Sequence, residues 1–127
     1  MPLTRISLRE GKSPEYHKTL MDQIYLAMHE TLATPENDRF ATITEHKESC
    51  FNTSGNFGGI DRSEDLVIVQ VTLLAGRSVD LKKAFYAAVA HRLSKELGLR
   101  KEDVFINLVE VAKEDWSVGN GEAQYAS

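Results

Sequence analysis

A single cysteine, Cys50, stands among 127 residues, which excludes an intramolecular disulfide and leaves the fold to be held by packing. Long apolar runs are missing too. The longest near-continuous stretch, Leu66 to Ala75, is broken by Gln70 and Thr72 and is too short to cross a bilayer. No basic segment followed by an apolar one suggests export, so a cytoplasmic location is expected. Positive charge is not in excess: fifteen Lys and Arg against nineteen Asp and Glu leave a net −4, with both signs scattered. Neither nucleic acid nor an anionic membrane is therefore an expected partner. The four histidines, His17, His29, His46 and His91, lack the close spacing of metal ligands, and no metal site is expected. Gly11-Lys12-Ser13 ends like a phosphate-binding loop, but Ile6 stands where the earlier glycine is required. The sequence calls for no cofactor.

What is present is a repeat. Sliding the chain by 65 positions superimposes Gly11-Lys12-Ser13 on Gly76-Arg77-Ser78, Leu20 on Phe85, Ile24 on Val89, Met28 on Leu93, Asp38 on Asp103 and Glu45 on Glu110. A shared period and shared punctuation in one register point to duplication. Each half, about 2–47 and 66–112, spells strand, helix, strand, with 113–127 as a C-terminal segment. In the second half the strand 66–74 is β-branched and mostly apolar, and Ser78 caps a helix. That helix carries its apolar stripe on Leu81, Phe85, Ala88, Val89, Leu93 and Leu97, and Gly98 ends it. The next strand is expected over Val104 to Val111. In the first half a strand opens near Pro2, and Ser13 caps a helix with Pro14 in its first position. A strand from about Arg39 to His46 follows. The fold class is α/β (α+β): one domain, residues 1–127, with a four-stranded sheet and two helices on one face. The other face reads as too apolar for water, which predicts packing against further copies.

Pro2 opens the first strand. If Met1 is removed, the chain begins with a rigid secondary amine, and a chain-terminal amine titrates close enough to neutrality for its surroundings to make it a base or an acid.

Three further stretches carry a resemblance. Thr34-Pro35-Glu36-Asn37-Asp38-Arg39-Phe40 resembles a Val-Pro-x-x-Asp-Arg-Tyr pattern, and Arg77-Ser78 resembles an Arg-Ser at the end of a main strand. Residues 115–125, Asp-Trp-Ser-Val-Gly-Asn-Gly-Glu-Ala-Gln-Tyr, resemble Asp-Trp-Ser-Phe-Gly-x-Gly-x-Ala-x-Phe. With Pro2 and the duplicated unit, these make the whole chain similar to the tautomerase superfamily, and within it to the malonate semialdehyde decarboxylase-like group. The resemblance implies a homotrimer with active sites near each Pro2, completed by neighbouring subunits. It implies a cofactor-independent enzyme acting on small 2-oxo or 3-oxo acids.

Pro2, Asp38 and Arg77 are the expected catalytic residues, and Arg77, Trp116 and Tyr125 the expected substrate-binding ones. Arg77, expected just past a strand end at the first turn of a helix, offers a planar fork to a substrate carboxylate. Asp38 either sets the charge of the amine or activates water, while Lys12 reads as structural and Asp103 as a turn residue bonding its own backbone. Trp116 and Tyr125 are expected to wall the pocket, or else to glue the C-terminal segment to the assembly. Phe57 is expected either to close over the site or to lie in a disordered connection. Two departures from the group pattern matter. Ala75 replaces the first arginine of an Arg-x-Arg pair, and Val118 replaces an aromatic. Both count against decarboxylation, which needs more grips on the carboxylate than keto-enol tautomerisation does. The alternatives are a malonate semialdehyde decarboxylase-like lyase with hydratase activity, and a non-catalytic trimeric scaffold.

Overall fold

The structure, a computed structural model, describes residues 2–126. Its order is β1 (Leu3–Arg9), α1 (Pro14–Leu32), β2 (Ala41–His46), β3 (Val67–Leu74), α2 (Val79–Leu97) and β4 (Val104–Val111), with short 3-10 turns between and after them. Sheet order is β2-β1-β3-β4. Within each half the strands are parallel, and β1 and β3 join the halves antiparallel, so the sheet is mixed.

Alternation decides which face is dry. Thr4, Ile6 and Leu8 of β1 and Val67, Val69, Val71 and Leu73 of β3 are buried. They meet Leu20, Ile24, Ala27 and Met28 of α1 and Phe85, Val89 and Leu93 of α2 in one core, as a period of two against a period of 3.6 requires. The helix stripe is shorter than its sequence pattern. Leu81, in the first turn of α2, is 43% exposed.

The two halves share their punctuation. Ser13 Oγ accepts from the Tyr16 N–H at 3.1 Å and Ser78 Oγ from the Leu81 N–H at 3.2 Å. Gly11 and Gly76, in the turns before each helix, have φ of +117° and +122°, a region that a side chain opposes. Gly98 closes α2 in the left-handed conformation, but α1 ends on Ala33, a non-glycine with φ 55°. Glu45 and Glu110 repeat one another in detail. The carboxylate of Glu45 accepts from the Lys12 N–H at 3.2 Å and lies 3.0 Å from His17 Nε2. That of Glu110 accepts from the Gly76 N–H at 3.3 Å and from Lys82 Nζ at 2.7 Å. Hydrogen bonds from Lys82 and from the Gly76 amide hold Glu110 below the ordinary glutamate range.

Three expectations are corrected. The uncovered sheet face is mixed rather than uniformly apolar: Ile68, Phe105 and Val109 share it with Arg5, Gln70 and Asn107, and Gln70 donates to Asn107 at 3.1 Å. Asp103 does not serve its own backbone. It is buried and accepts from both the N–H and the hydroxyl of Ser63 at 2.6 Å, tying the connection to β3 onto the start of β4. The segment from 49 to 61 is an ordered loop, drawn in by the Arg62 N–H to Gly55 O at 2.8 Å and by the Arg62 guanidinium to Phe57 O at 2.8 Å. Phe57 lies there beside Ile68 and Phe105, at the far end of β3 from the strand end opposite Pro2, and does not close over Pro2 of its own chain.

Candidate active site

Antiparallel pairing sets Leu3 of β1 opposite Thr72 of β3. The head of β1 therefore meets the tail of β3, and β4 ends beside it, with the Ala75 N–H donating to Val111 O at 2.9 Å. Pro2, the 75–78 turn and the segment after β4 thus gather at one end of the sheet.

Pro2 is buried and lines two cavities. The first, about 280 Å³, lies between the head of β1 and α1 and is shared with Thr4, Tyr25, Met28, Asp38 and Arg39. The second, about 210 Å³, is shared with Leu3, Phe40, Trp116, Ser117 and Val118. Pro2 and Phe40 belong to both and separate them.

Asp38 sits in the irregular stretch between α1 and β2, and its placement comes from α1. Asp22, Tyr25 and His29 recur at three- and four-residue steps along one helix face. Tyr25 donates its hydroxyl to Pro35 O at 3.2 Å, and His29 Nδ1 lies 2.7 Å from Thr34 O. Arg39 donates to Asp22 at 2.5 Å, with its guanidinium 4.4 Å from the centre of the Tyr25 ring. A hydrogen bond from Lys18, supported by the one from Arg39 against the cost of burial, holds Asp22 below the usual carboxylate range. On the other side the Thr4 N–H donates to Phe40 O at 2.8 Å.

Arg77 directly precedes Ser78, the cap of α2, rather than lying within its first turn. Its Nη1 donates to Leu74 O at 2.9 Å, and its Nε is buried without a partner among the described residues. It stands at the Pro2 end of the sheet but lines neither cavity of its own chain. Trp116 shares the second cavity with Pro2, and its indole nitrogen is also buried and unpartnered. Tyr125 lines a separate open hollow with Ala112, Lys113 and Glu114, so the structure does not bring it to Pro2 within one chain. Lys12, at the opposite end, pairs with Asp65 at 2.7 Å. No group of three or more metal-ligating side chains converges among the described residues.

Sequence reasoning missed Thr4, Tyr25, Arg39 and Gln124. Gln124 clamps the Gly-rich turn, accepting from the Val118 N–H at 2.9 Å and donating to Gly119 O at 2.6 Å, and so holds Val118 on its cavity wall. Arg39 was legible as the neighbour of Asp38 in the same motif. Thr4 was legible as the polar interruption of an apolar face.

A family model described as "Tautomerase enzyme" matches residues 38–119. Probable tautomerase YusQ of Bacillus subtilis (strain 168) is 40% identical over 124 residues, covering 98% of each chain. A malonate semialdehyde decarboxylase, solved to explain decarboxylase and hydratase activities, superposes with a TM-score of 0.90 at 30% identity over 97% of this chain and 95% of its own. A fused 4-OT solved as a symmetric trimer gives 0.79 at 27% identity, over 98% of each. Fold and likeness together define a tautomerase-superfamily enzyme. The chain belongs to the tautomerase family, and its relatives include proteins of the malonate semialdehyde decarboxylase type.

Proposed function

We propose that the protein catalyses keto-enol tautomerisation of small 2-oxo or 3-oxo acids without a cofactor, with Pro2 as the proton-transfer group. The observation that carries this reading is the cavity shared by Pro2 and Asp38. A carboxylate beside a secondary amine favours its ammonium form, so Asp38 sets whether Pro2 gives or takes the proton. The reading requires loss of Met1, which lies outside the described residues, because an acylated proline nitrogen is an amide with no basic lone pair. Arg77 holds the substrate carboxylate and Trp116 walls the site. Both roles are completed by neighbouring subunits of a homotrimer, as is a wall contribution from Tyr125. The trimer reading is supported by Ile68, Phe105 and Val109 on the uncovered sheet face and by the trimeric fused 4-OT. We place the enzyme in the cytoplasm; no helix among the described residues is long and apolar enough to cross a membrane.

The test is ketonisation of phenylenolpyruvate by wild type and Pro2→Ala, with the amine titrated by NMR and Met1 removal checked by intact mass. A loss of about 10²- to 10⁴-fold in the variant is expected for a lost proton shuttle. Equal activity would sink the reading, and a retained Met1 in untagged protein would favour the non-catalytic scaffold. A second reading, decarboxylation or hydration of malonate semialdehyde, is favoured by the 0.90 superposition and opposed by Ala75. Acetaldehyde from that substrate, with no ketonisation of the enol, would reverse the order.

A further inference from the structure

Thr4 is out of place chemically. It lies on the helix-facing side of β1 with Ile6 and Leu8, and only 1% of its surface is exposed. Valine would fill this strand position without any polar cost, whereas a buried hydroxyl demands a partner. Thr4 Oγ1 nevertheless has none among the described residues. Its backbone N–H is already spent on Phe40 O. Thr4 is one of the residues lining the cavity that Pro2 and Asp38 also line.

The other donors lining that cavity are engaged. Tyr25 donates to Pro35 O, and Lys18 and Arg39 both donate to Asp22. Thr4, in β1, follows the buried Pro2 by two residues, a spacing of roughly 6.6 Å along an extended chain. A carbon that exchanges its proton with Pro2 stands about 3–3.5 Å from the amine. The oxygen on the adjacent carbon is two bonds further on, within a hydrogen bond of about 2.5–3.0 Å from a hydroxyl placed as Thr4 is.

We infer that Thr4 is a catalytic residue whose hydroxyl donates to the substrate oxygen that gains negative charge as the enolate forms. This rests on the tautomerase reading above. In the enolising direction the Pro2 amine takes a proton from the carbon beside the carbonyl. The C–H electron pair becomes the new C=C bond, and the carbonyl π pair moves to oxygen, where Thr4 O–H meets it. The Pro2 ammonium then gives up its proton and the oxygen takes one up, relayed through solvent, which gives the enol and restores the neutral amine. Ketonisation runs the same steps backwards, and no electrons are gained or lost overall. The ligand class is a small 2-oxo acid in either tautomer, with its C2 oxygen on Thr4.

The test is Thr4→Val and Thr4→Ser, assayed on phenylenolpyruvate beside Pro2→Ala. Removing one donor aimed at developing charge should cut kcat in Thr4→Val by about 10²-fold, the low end of the range for such donors, with KM within about twofold. Thr4→Ser, which keeps the donor, should stay within about threefold of wild type. The melting temperature of Thr4→Val should equal or exceed that of wild type, since an unpaired buried hydroxyl has been removed; a stability gain joined to a rate loss marks a functional residue. Wild-type kcat in Thr4→Val overturns the assignment, whatever its melting temperature. Should Thr4→Val fail to fold, Thr4→Ser against Thr4→Ala decides, equal kcat in the two overturning it. Unchanged activity in Pro2→Ala would instead remove the tautomerase reading itself. Loss there with full activity in Thr4→Val removes Thr4 alone.

Discussion

The guanidinium of Arg39 stands 4.4 Å from the centre of the Tyr25 ring, so a residue next to Asp38 is stacked on a residue in the middle of α1. Asp22 fixes its edge, and the Tyr25 hydroxyl holds Pro35 O. The irregular stretch that carries Asp38 is thereby read out by a rigid helix face rather than left to its own turn preferences.

Tyr25→Phe keeps the stack and deletes the hydroxyl bond to Pro35. A single hydrogen bond of this kind is worth about 0.5–1.5 kcal/mol, so the denaturant midpoint should fall slightly. The ketonisation rate should fall by more than that loss of stability accounts for, because Asp38 loses its support. A variant with lowered stability and unchanged kcat would show that the helix face does not position Asp38.

Glu110 supplies a pH prediction whose sign follows from its depressed pKa. A carboxylate lowered by folding contributes stability that is complete above its unfolded value of about 4.3 and lost as pH falls through the folded value. Glu110→Gln should therefore flatten the loss of stability below about pH 4.5. Since Glu110 also holds the Gly76 N–H in front of Arg77, the same variant should raise KM for an oxo acid more than it lowers kcat. Melting curves between pH 3 and 7 and steady-state kinetics at pH 7 check the two parts.

Gly76→Ala adds no clash, for nothing lies within 4 Å of the new methyl, yet φ is +122°. The cost is backbone strain alone, of order 1–3 kcal/mol. Gly11→Ala, at φ +117° with equally open surroundings, should cost the same within about 0.5 kcal/mol. Of the two, Gly76→Ala should also weaken substrate binding. Urea titrations and KM measurements on both variants test this.

Phe105 is 43% exposed on the uncovered sheet face, beside Ile68 in the sheet register. Phe105→Glu places a charge where the proposed trimer packs, and light scattering should report a smaller species. A trimer that survives this change would mean that copies associate through another surface.

Local chemistry made most of the fold readable. β4 was expected over Val104 to Val111 and forms over those residues, because a segment rich in β-branched and aromatic residues between a polar turn and Ala112 has few alternatives. The bounds of α1 were less readable at its end, where Ala33 takes a left-handed conformation usually left to glycine. Long-range pairings were not readable at all. Nothing near Asp103 announces that Ser63, forty positions earlier, will be its partner. Of the candidate site, Pro2, Asp38 and Trp116 could be named from motif and position. The support beneath Asp38 could not, since it depends on which face of α1 turns toward that stretch.

The register that sets Gly76 on Gly11 sets Val67 on Pro2. Val67 is wholly buried between Leu8 and Val104, and its nitrogen is locked in a peptide bond with Leu66. Duplication could copy the caps, the glycines and the carboxylate latches, but a polypeptide has a single beginning. A reagent that alkylates a free imino group should therefore modify each chain once at most, however symmetric the scaffold around it.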